Sequence, residues 1–168
     1  AKKFPALKLI HNQSSNLHMP GEKVVRAFNF GLQQLDDNYD VICKFDGDLI
    51  FPKNYLETLA SHYVQNPKLG MLSGHCYIQK NNKWIYENIA SKVHTRGPLK
   101  SYRRACFKAI GGLQASIGWD TVDELIAVYY GWTFKTVAAL KVKHLKPTGA
   151  HYSPCLLYTS PSPRDLRK

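Results

Sequence analysis

Asp46-Gly47-Asp48 sets two carboxylates on either side of a glycine, directly after the apolar run Val41-Ile42-Cys43-Lys44-Phe45. Open α/β sheets place their ligand crevice at strand carboxyl ends, so this is where such a chain would present chemistry. Two aspartates one residue apart can both turn oxygen toward one hard cation, and the glycine allows the tight turn between them. Magnesium or manganese held this way keeps several waters and takes its remaining ligands from substrate phosphates. A plain polar turn after a strand has the same composition, so the reading depends on what else the chain brings to that edge.

Further along, Asp120, Asp123 and Glu124 stand three and four residues apart, which puts them on one face of a helix. Acidic residues also favour a helix first turn for electrostatic reasons alone. His144 ends an apolar stretch, and a neutral imidazole there would suit a metal. Lys100, Arg103 and Arg104 form the densest basic stretch and could meet an anionic acceptor or a diphosphate, although a solvated surface explains them equally well. Arg26 and Asn29 lie in an amphipathic helical segment and could face a nucleotide.

These residues need elements to position them. Residues 7–11 read as a short strand. Residues 22–35 carry a helical pattern, with Val24, Val25, Phe28, Leu32 and Leu35 at spacings of three and four. With the buried strand at 41–45 they predict a strand–helix–strand crossover unit. Pro52 is placed to open a second helix, with Tyr55, Leu56, Leu59 and Tyr63 as its apolar face, ended by Asn66-Pro67. Residues 69–78 and 83–89 predict a hairpin turning at Asn81-Asn82. A strand is expected at 100–102, a helix at 104–110 closed by Gly111-Gly112, a helix at 121–130, and a last strand at 134–144 with Val137, Leu140 and Val142 pointing inward.

The 168 residues suit one domain, and 44% hydrophobic with 21% charged residues is ordinary for a globular protein. No run of about 18 apolar residues offers a membrane span. Lysine and arginine outnumber acids 23 to 12, a net charge of +11, which favours anionic partners. The bases are dispersed, and no nucleic-acid-binding motif accompanies them, so no nucleic-acid partner is expected. Cys43, Cys76, Cys106 and Cys155 lie far apart without a CxxC pair, which argues against structural zinc and a disulfide framework and for a reducing compartment. From about residue 151 the composition turns proline-rich and aperiodic. Residues 156–165 resemble a translated adapter or vector scar, so 1–150 is read as the domain and 151–168 as a non-native tail.

Four blocks, in order, resemble the family 2 glycosyltransferases of the GT-A fold. They are residues 21–31, with Ala27, Asn29 and Gly31; Asp46-Gly47-Asp48 followed by Phe51-Pro52-Lys53-Asn54; residues 102–113, ending in Gly111-Gly112-Leu113; and Gly118-Trp119-Asp120-Thr121-Val122-Asp123-Glu124-Leu125 with Gly131 and Val142-Lys143-His144. The resemblance spans roughly residues 6–150. It implies a Rossmann-like α/β fold with a mixed, mostly parallel sheet flanked by helices, and an enzyme that moves a sugar from a nucleotide-diphosphate-sugar donor to a hydroxyl on a glycan, a lipid-linked or a small acceptor.

By that resemblance Asp46 and Asp48 form the DxD pair, holding Mn2+ or Mg2+ with His144, while Asp46, Asp48, Arg26 and Asn29 bind the donor. Asp120 takes the slot of the catalytic base, with Asp123 or Glu124 as alternates. Trp119 stands where family members carry a glutamate, and with Lys100 and Arg103 it is assigned to the acceptor side. The resemblance also implies that about 60 to 90 residues of a nucleotide-binding half precede Ala1. The chain made alone is then expected to be poorly stable and inactive. A cytoplasmic location is expected, with peripheral association at a membrane surface compatible with the basic charge. Two rival readings are a nucleotidyltransferase, which also uses an aspartate pair and a divalent ion, and a non-catalytic carbohydrate-binding or basic interaction module.

Overall fold

The computed structural model describes residues 7–13 and 21–148. Four helices and six strands alternate along the chain: α1 (Glu22–Leu32), β1 (Val41–Phe45), β2 (Leu49–Ile50), α2 (Tyr55–Gln65), β3 (Leu69–Lys80), β4 (Lys83–Tyr86), β5 (Leu99–Arg103), α3 (Arg104–Ala109), α4 (Trp119–Tyr129) and β6 (Thr133–His144). The strands form one mixed sheet in the order β1-β5-β3-β6-β2, with β4 paired to the distal half of β3. The α/β class is therefore as expected, with helices flanking a mixed sheet.

The expectation of a mostly parallel sheet is corrected. Of the five pairings only β3 with β6 is parallel. Strand β5 lies between β1 and β3 and is antiparallel to both. The periodicity of a short strand carries no information about its direction, because side chains alternate identically either way. Direction has a functional consequence here. Strands β1, β3 and β6 all run the same way, so the end of β1, where Asp46 to Asp48 follow, and the end of β6, where His144 stands, share one edge of the sheet.

The crossover unit at the amino end does not form as read. Residues 7–13 contain no strand, and Leu7 and Leu9 are 62% and 68% exposed. A strand needs a neighbour for its backbone groups and a face to bury, and among the described residues this segment has neither. Helix α1 stops at Leu32, leaving Leu35 exposed, and turns Val25, Phe28 and Leu32 toward the core while Val24 faces outward.

Two apolar clusters cover the two faces of the sheet. One gathers Val25 of α1, Phe107 of α3 and Trp119 and Ala127 of α4 against Ile42, Met71 and Tyr102. The other packs Tyr55, Leu59 and Tyr63 of α2 against Leu72, Cys76, Leu99 and Val142. Helix α2 begins at Tyr55 rather than Pro52. The Pro52 carbonyl accepts the Tyr55 amide at 3.0 Å, so the proline shapes the turn that leads in. Leu56, expected on the buried face, is 61% exposed. The hairpin β3–β4 turns where expected, with φ of 49° and 58° at Asn81 and Asn82. That left-handed pair is what a two-residue hairpin turn requires, and asparagine tolerates it better than most residues. Helix α3 ends on Gly111 and Gly112, both at positive φ, and the Gly112 amide returns to the Phe107 carbonyl at 3.0 Å.

Cys43, Cys76 and Cys106 are free thiols, and burial pushes them up to about 11, 12 and 12 respectively. Cys155 and the segment 151–168 lie outside the described residues. No described helix is long and apolar enough to cross a membrane.

Candidate functional site

The site is built on the shared edge. Strand β1 alternates, with Val41, Cys43 and Phe45 against the α2 cluster and Ile42 and Lys44 on the opposite face. Lys44 is buried. Its ammonium lies 5.4 Å over the Trp119 ring and bonds to Oδ1 of Asp46. The backbone holds both aspartates in place. The Asp46 amide donates to the Pro98 carbonyl at 2.8 Å, and the Asp48 carbonyl accepts the Leu145 amide at 2.9 Å. Because β2 pairs Leu49 with His144, Asp48 comes beside the histidine, and its Oδ1 lies 3.7 Å from His144 Nε2. Asp48 is 28% exposed at its side chain, so this carboxylate faces outward while the histidine behind it is buried.

Asp48 and His144 therefore meet, whereas Asp46 turns toward Lys44. A carboxylate oxygen and an imidazole nitrogen are ligands that manganese accepts, and the carboxylate also suits magnesium. Their 3.7 Å separation is too long for a hydrogen bond and is a span that one ion could bridge. A second triad, Cys76, Glu87 and His144, also offers three ligand atoms within 4.8 Å of one another. There Glu87 Oε2 already accepts from Arg96 Nη2 at 2.9 Å, and a guanidinium against that oxygen opposes a cation. Asp48 and His144 carry no cationic side chain on the atoms they would offer a divalent ion, whereas Asp46 beside them has its Oδ1 on the Lys44 ammonium.

The three acids of α4 divide sharply. Asp123 is buried, with Oδ1 on Lys100 Nζ at 2.6 Å and Oδ2 on the Tyr102 hydroxyl at 2.5 Å. Burial pushes its carboxyl up, and the lysine and tyrosine bonds offset part of that. Glu124 is also buried. It accepts the Thr95 amide at 2.7 Å, the Thr95 hydroxyl, and His94 Nδ1 at 3.0 Å. Both were alternates for the base, and the structure places both inside the protein with their oxygens bonded to Lys100, Tyr102, Thr95 and His94. Asp120 differs. Its side chain is 30% exposed, and one oxygen stands 3.4 Å from His94 Nε2. Burial raises its carboxyl, but the His94 bond and the nearby Lys100 charge outweigh this and hold it below the usual range.

His94 bridges Asp120 and Glu124, and those two bonds push its imidazole up to about 9. An imidazole whose folded value is raised stabilises the fold fully below its unfolded value, about 6.5, and loses that contribution as pH climbs through about 9. Urea midpoints measured across that window are expected to decline with rising pH. In His94→Gln that part of the decline should vanish.

The acceptor-side assignments are corrected. Lys100 has no solvent exposure and is committed to Asp123 and to the Asp120 carbonyl. Trp119 is a core residue, with the Lys44 and Lys100 ammonium groups over its ring. Arg103 donates to the carbonyls of Tyr63, Asn66 and Leu69 and stacks on Tyr63, so it closes the carboxyl end of α2. Arg26 and Asn29, assigned to the donor, are not brought to the aspartates. Arg26 points outward and pairs with Glu22 at 2.7 Å, one helical turn away. Asn29 lines a cavity of about 430 Å³ with Leu32, Tyr39, Phe107 and Leu113, near the start of β1 rather than its end.

Four residues essential to the arrangement were not singled out by sequence: Lys44, Glu87, His94 and Arg96. Lys44 carried a readable signal, a charge inside an apolar strand on the same face as Asp46. Glu87 lies just past β4, within the segment 83–89 read as one strand, and His94 and Arg96 lie in the connection between β4 and β5, where no periodicity marks them. That connection joins the two halves of the site. His94 touches Asp120, a Cβ at Gly97 would lie 3.0 Å from Asp120 Oδ2, the Pro98 carbonyl holds Asp46, and Arg96 holds Glu87, which meets His144.

No protein-family model and no curated protein matches the chain. Among solved structures 35 chains match. One, described as the crystal structure of A197 from STIV, aligns with a TM-score of 0.47 at 14% identity, covering 74% of this chain and 65% of that one. The chain thus spans just under two thirds of the length of that protein, and a likeness so slight carries no argument about fold or chemistry.

Proposed function

We propose that the chain carries the metal and base half of an inverting glycosyltransferase of the GT-A fold, similar to family 2, which moves a sugar from a nucleotide-diphosphate donor to a hydroxyl acceptor. The observation that carries this reading is the shared edge. A partly exposed carboxylate, Asp48, beside a buried histidine is joined through one connection to a partly exposed, ionised carboxylate, Asp120, whose two acidic neighbours are sealed inside. The four sequence blocks in family order support it.

A divalent ion bound there would supply Lewis-acid assistance to departure of the diphosphate. The chain's own residues do the rest. Asp48 and His144 would hold the ion, with Asp46 fixed beside them by Lys44. Asp120 accepts the acceptor's hydroxyl proton as that oxygen forms a bond to the anomeric carbon from the side opposite the diphosphate. The bond from that carbon to the diphosphate oxygen breaks, and its electron pair leaves with the nucleoside diphosphate. His94 keeps Asp120 ionised and oriented for this step.

The experiment uses the full-length reading frame with manganese and a set of nucleotide-sugars. Release of nucleoside diphosphate with an inverted anomeric product is expected. Pyrophosphate release would instead indicate a nucleotidyltransferase, and no joint binding of manganese and any nucleotide-sugar would indicate a non-catalytic module. Asp120→Asn is expected to lower kcat by on the order of 10²-fold while donor affinity is kept, since an amide cannot take the proton. Loss of donor affinity instead would remove Asp120 from the role of base.

A further inference from the structure

We infer that Glu87 is a positioning residue that fixes His144 as a metal ligand, an inference that rests on the metal reading above. His144 is buried between two carboxylates. Nδ1 lies 3.4 Å from Glu87 Oε2, and Nε2 lies 3.7 Å from Asp48 Oδ1. An imidazole that ligates a cation through one nitrogen carries its proton on the other, and an ionised carboxylate can only accept. The closer carboxylate takes that N–H, so Glu87 places the proton on Nδ1 and leaves the Nε2 lone pair facing Asp48. A ligating histidine tied through its other nitrogen to a carboxylate is a recurrent way to hold ring and tautomer for a metal.

Glu87 is itself immobilised, as this role requires. Oε1 accepts the Thr148 amide at 2.7 Å, while Oε2 accepts Arg96 Nη2 at 2.9 Å and the Thr148 hydroxyl at 3.1 Å. Arg96 Nη1 also reaches the Glu87 carbonyl at 3.3 Å. An anion anchored from two segments, with a guanidinium against the oxygen that faces His144, serves the histidine and does not bind the cation directly.

The test is manganese affinity of the full-length protein, read as free Mn2+ by electron paramagnetic resonance, alongside nitrogen NMR of the His144 ring without metal. The wild type is expected to bind manganese and, at a pH where the ring is neutral, to show the Nδ1–H tautomer. Glu87→Gln is expected to weaken manganese binding about 10- to 100-fold and to mix the tautomers. Glu87→Gln with Arg96→Gln removes both charges of the buried pair, so the fold is not burdened by an unpaired guanidinium, and the same loss is expected. Unchanged affinity and an unchanged tautomer in a folded double variant would overturn the inference. An equal loss in Cys76→Ser would also overturn it, placing the ion in the Cys76, Glu87 and His144 triad. A wild type that binds no manganese would sink the metal reading and this inference together, whereas retained binding in the Glu87 variants would sink this inference alone.

Discussion

On the glycosyltransferase reading proposed above, Asp48→Ala in the full-length protein is expected to lower kcat for sugar transfer by on the order of 10³-fold, and added manganese should not restore it. The magnitude follows from the ion's task. Lewis-acid stabilisation of a leaving diphosphate contributes several kcal/mol at the transition state, and each 1.36 kcal/mol is about tenfold in rate. Asp48 is the anionic partner that meets His144, at 3.7 Å, and the histidine alone brings no negative charge to a divalent ion. Asp46 cannot readily take over, since its Oδ1 is bonded to the buried Lys44 ammonium. Rates of nucleoside diphosphate release across a manganese titration measure the effect. Metal-dependent transfer that survives in Asp48→Ala would refute the assignment.

The second large effect is on stability. Asp123→Ala is expected to cost about 3–5 kcal/mol, because it strands Lys100 as an uncompensated charge in the core. Lys100 has no exposure, its ammonium bonds Asp123 at 2.6 Å, and the Tyr102 hydroxyl depends on the same carboxylate at 2.5 Å. A lower urea midpoint at constant slope would register the loss. The triple variant Lys100→Met, Tyr102→Phe and Asp123→Leu should recover most of it, since the tyrosine hydroxyl goes with its acceptor and replacing a buried ion pair by apolar groups of similar volume is often neutral or better. A single-variant cost below about 1 kcal/mol would mean that water reaches the lysine. The pair also bears on the site, because Lys100 holds the Asp120 carbonyl and so sets the first turn of α4.

Much of the molecule was legible from residue order. The helices at α1, α2, α3 and α4, the hairpin turning on Asn81-Asn82, the glycine end of α3 and the inward residues of β6 follow from spacing and from the few residues that tolerate left-handed backbone. These are short-range preferences, and each is decided within a few residues of chain. The placement of Asp46 to Asp48 after a buried strand and of His144 at a strand end was legible for the same reason. Residues 7–11 misled because alternation shows what a strand would bury, not whether a neighbour exists to pair with it.

Only the tertiary structure decided the direction of β5 and with it the sharing of one edge by β1 and β6. It alone separated three acids of like type on one helical face. Asp123 lost its freedom to Lys100, Glu124 to Thr95 and His94, and Asp120 kept an oxygen open to solvent. It moved Lys100, Arg103 and Trp119 from a supposed acceptor surface into the structural frame, brought Glu87, read as part of a strand, to His144, and brought Arg96 from an unpatterned connection to Glu87. A residue's type sets what bonds it can make. Which bonds it makes depends on partners 20 or more residues away and on how far burial strips water from both, and that is settled only when the sheet and helices close on one another.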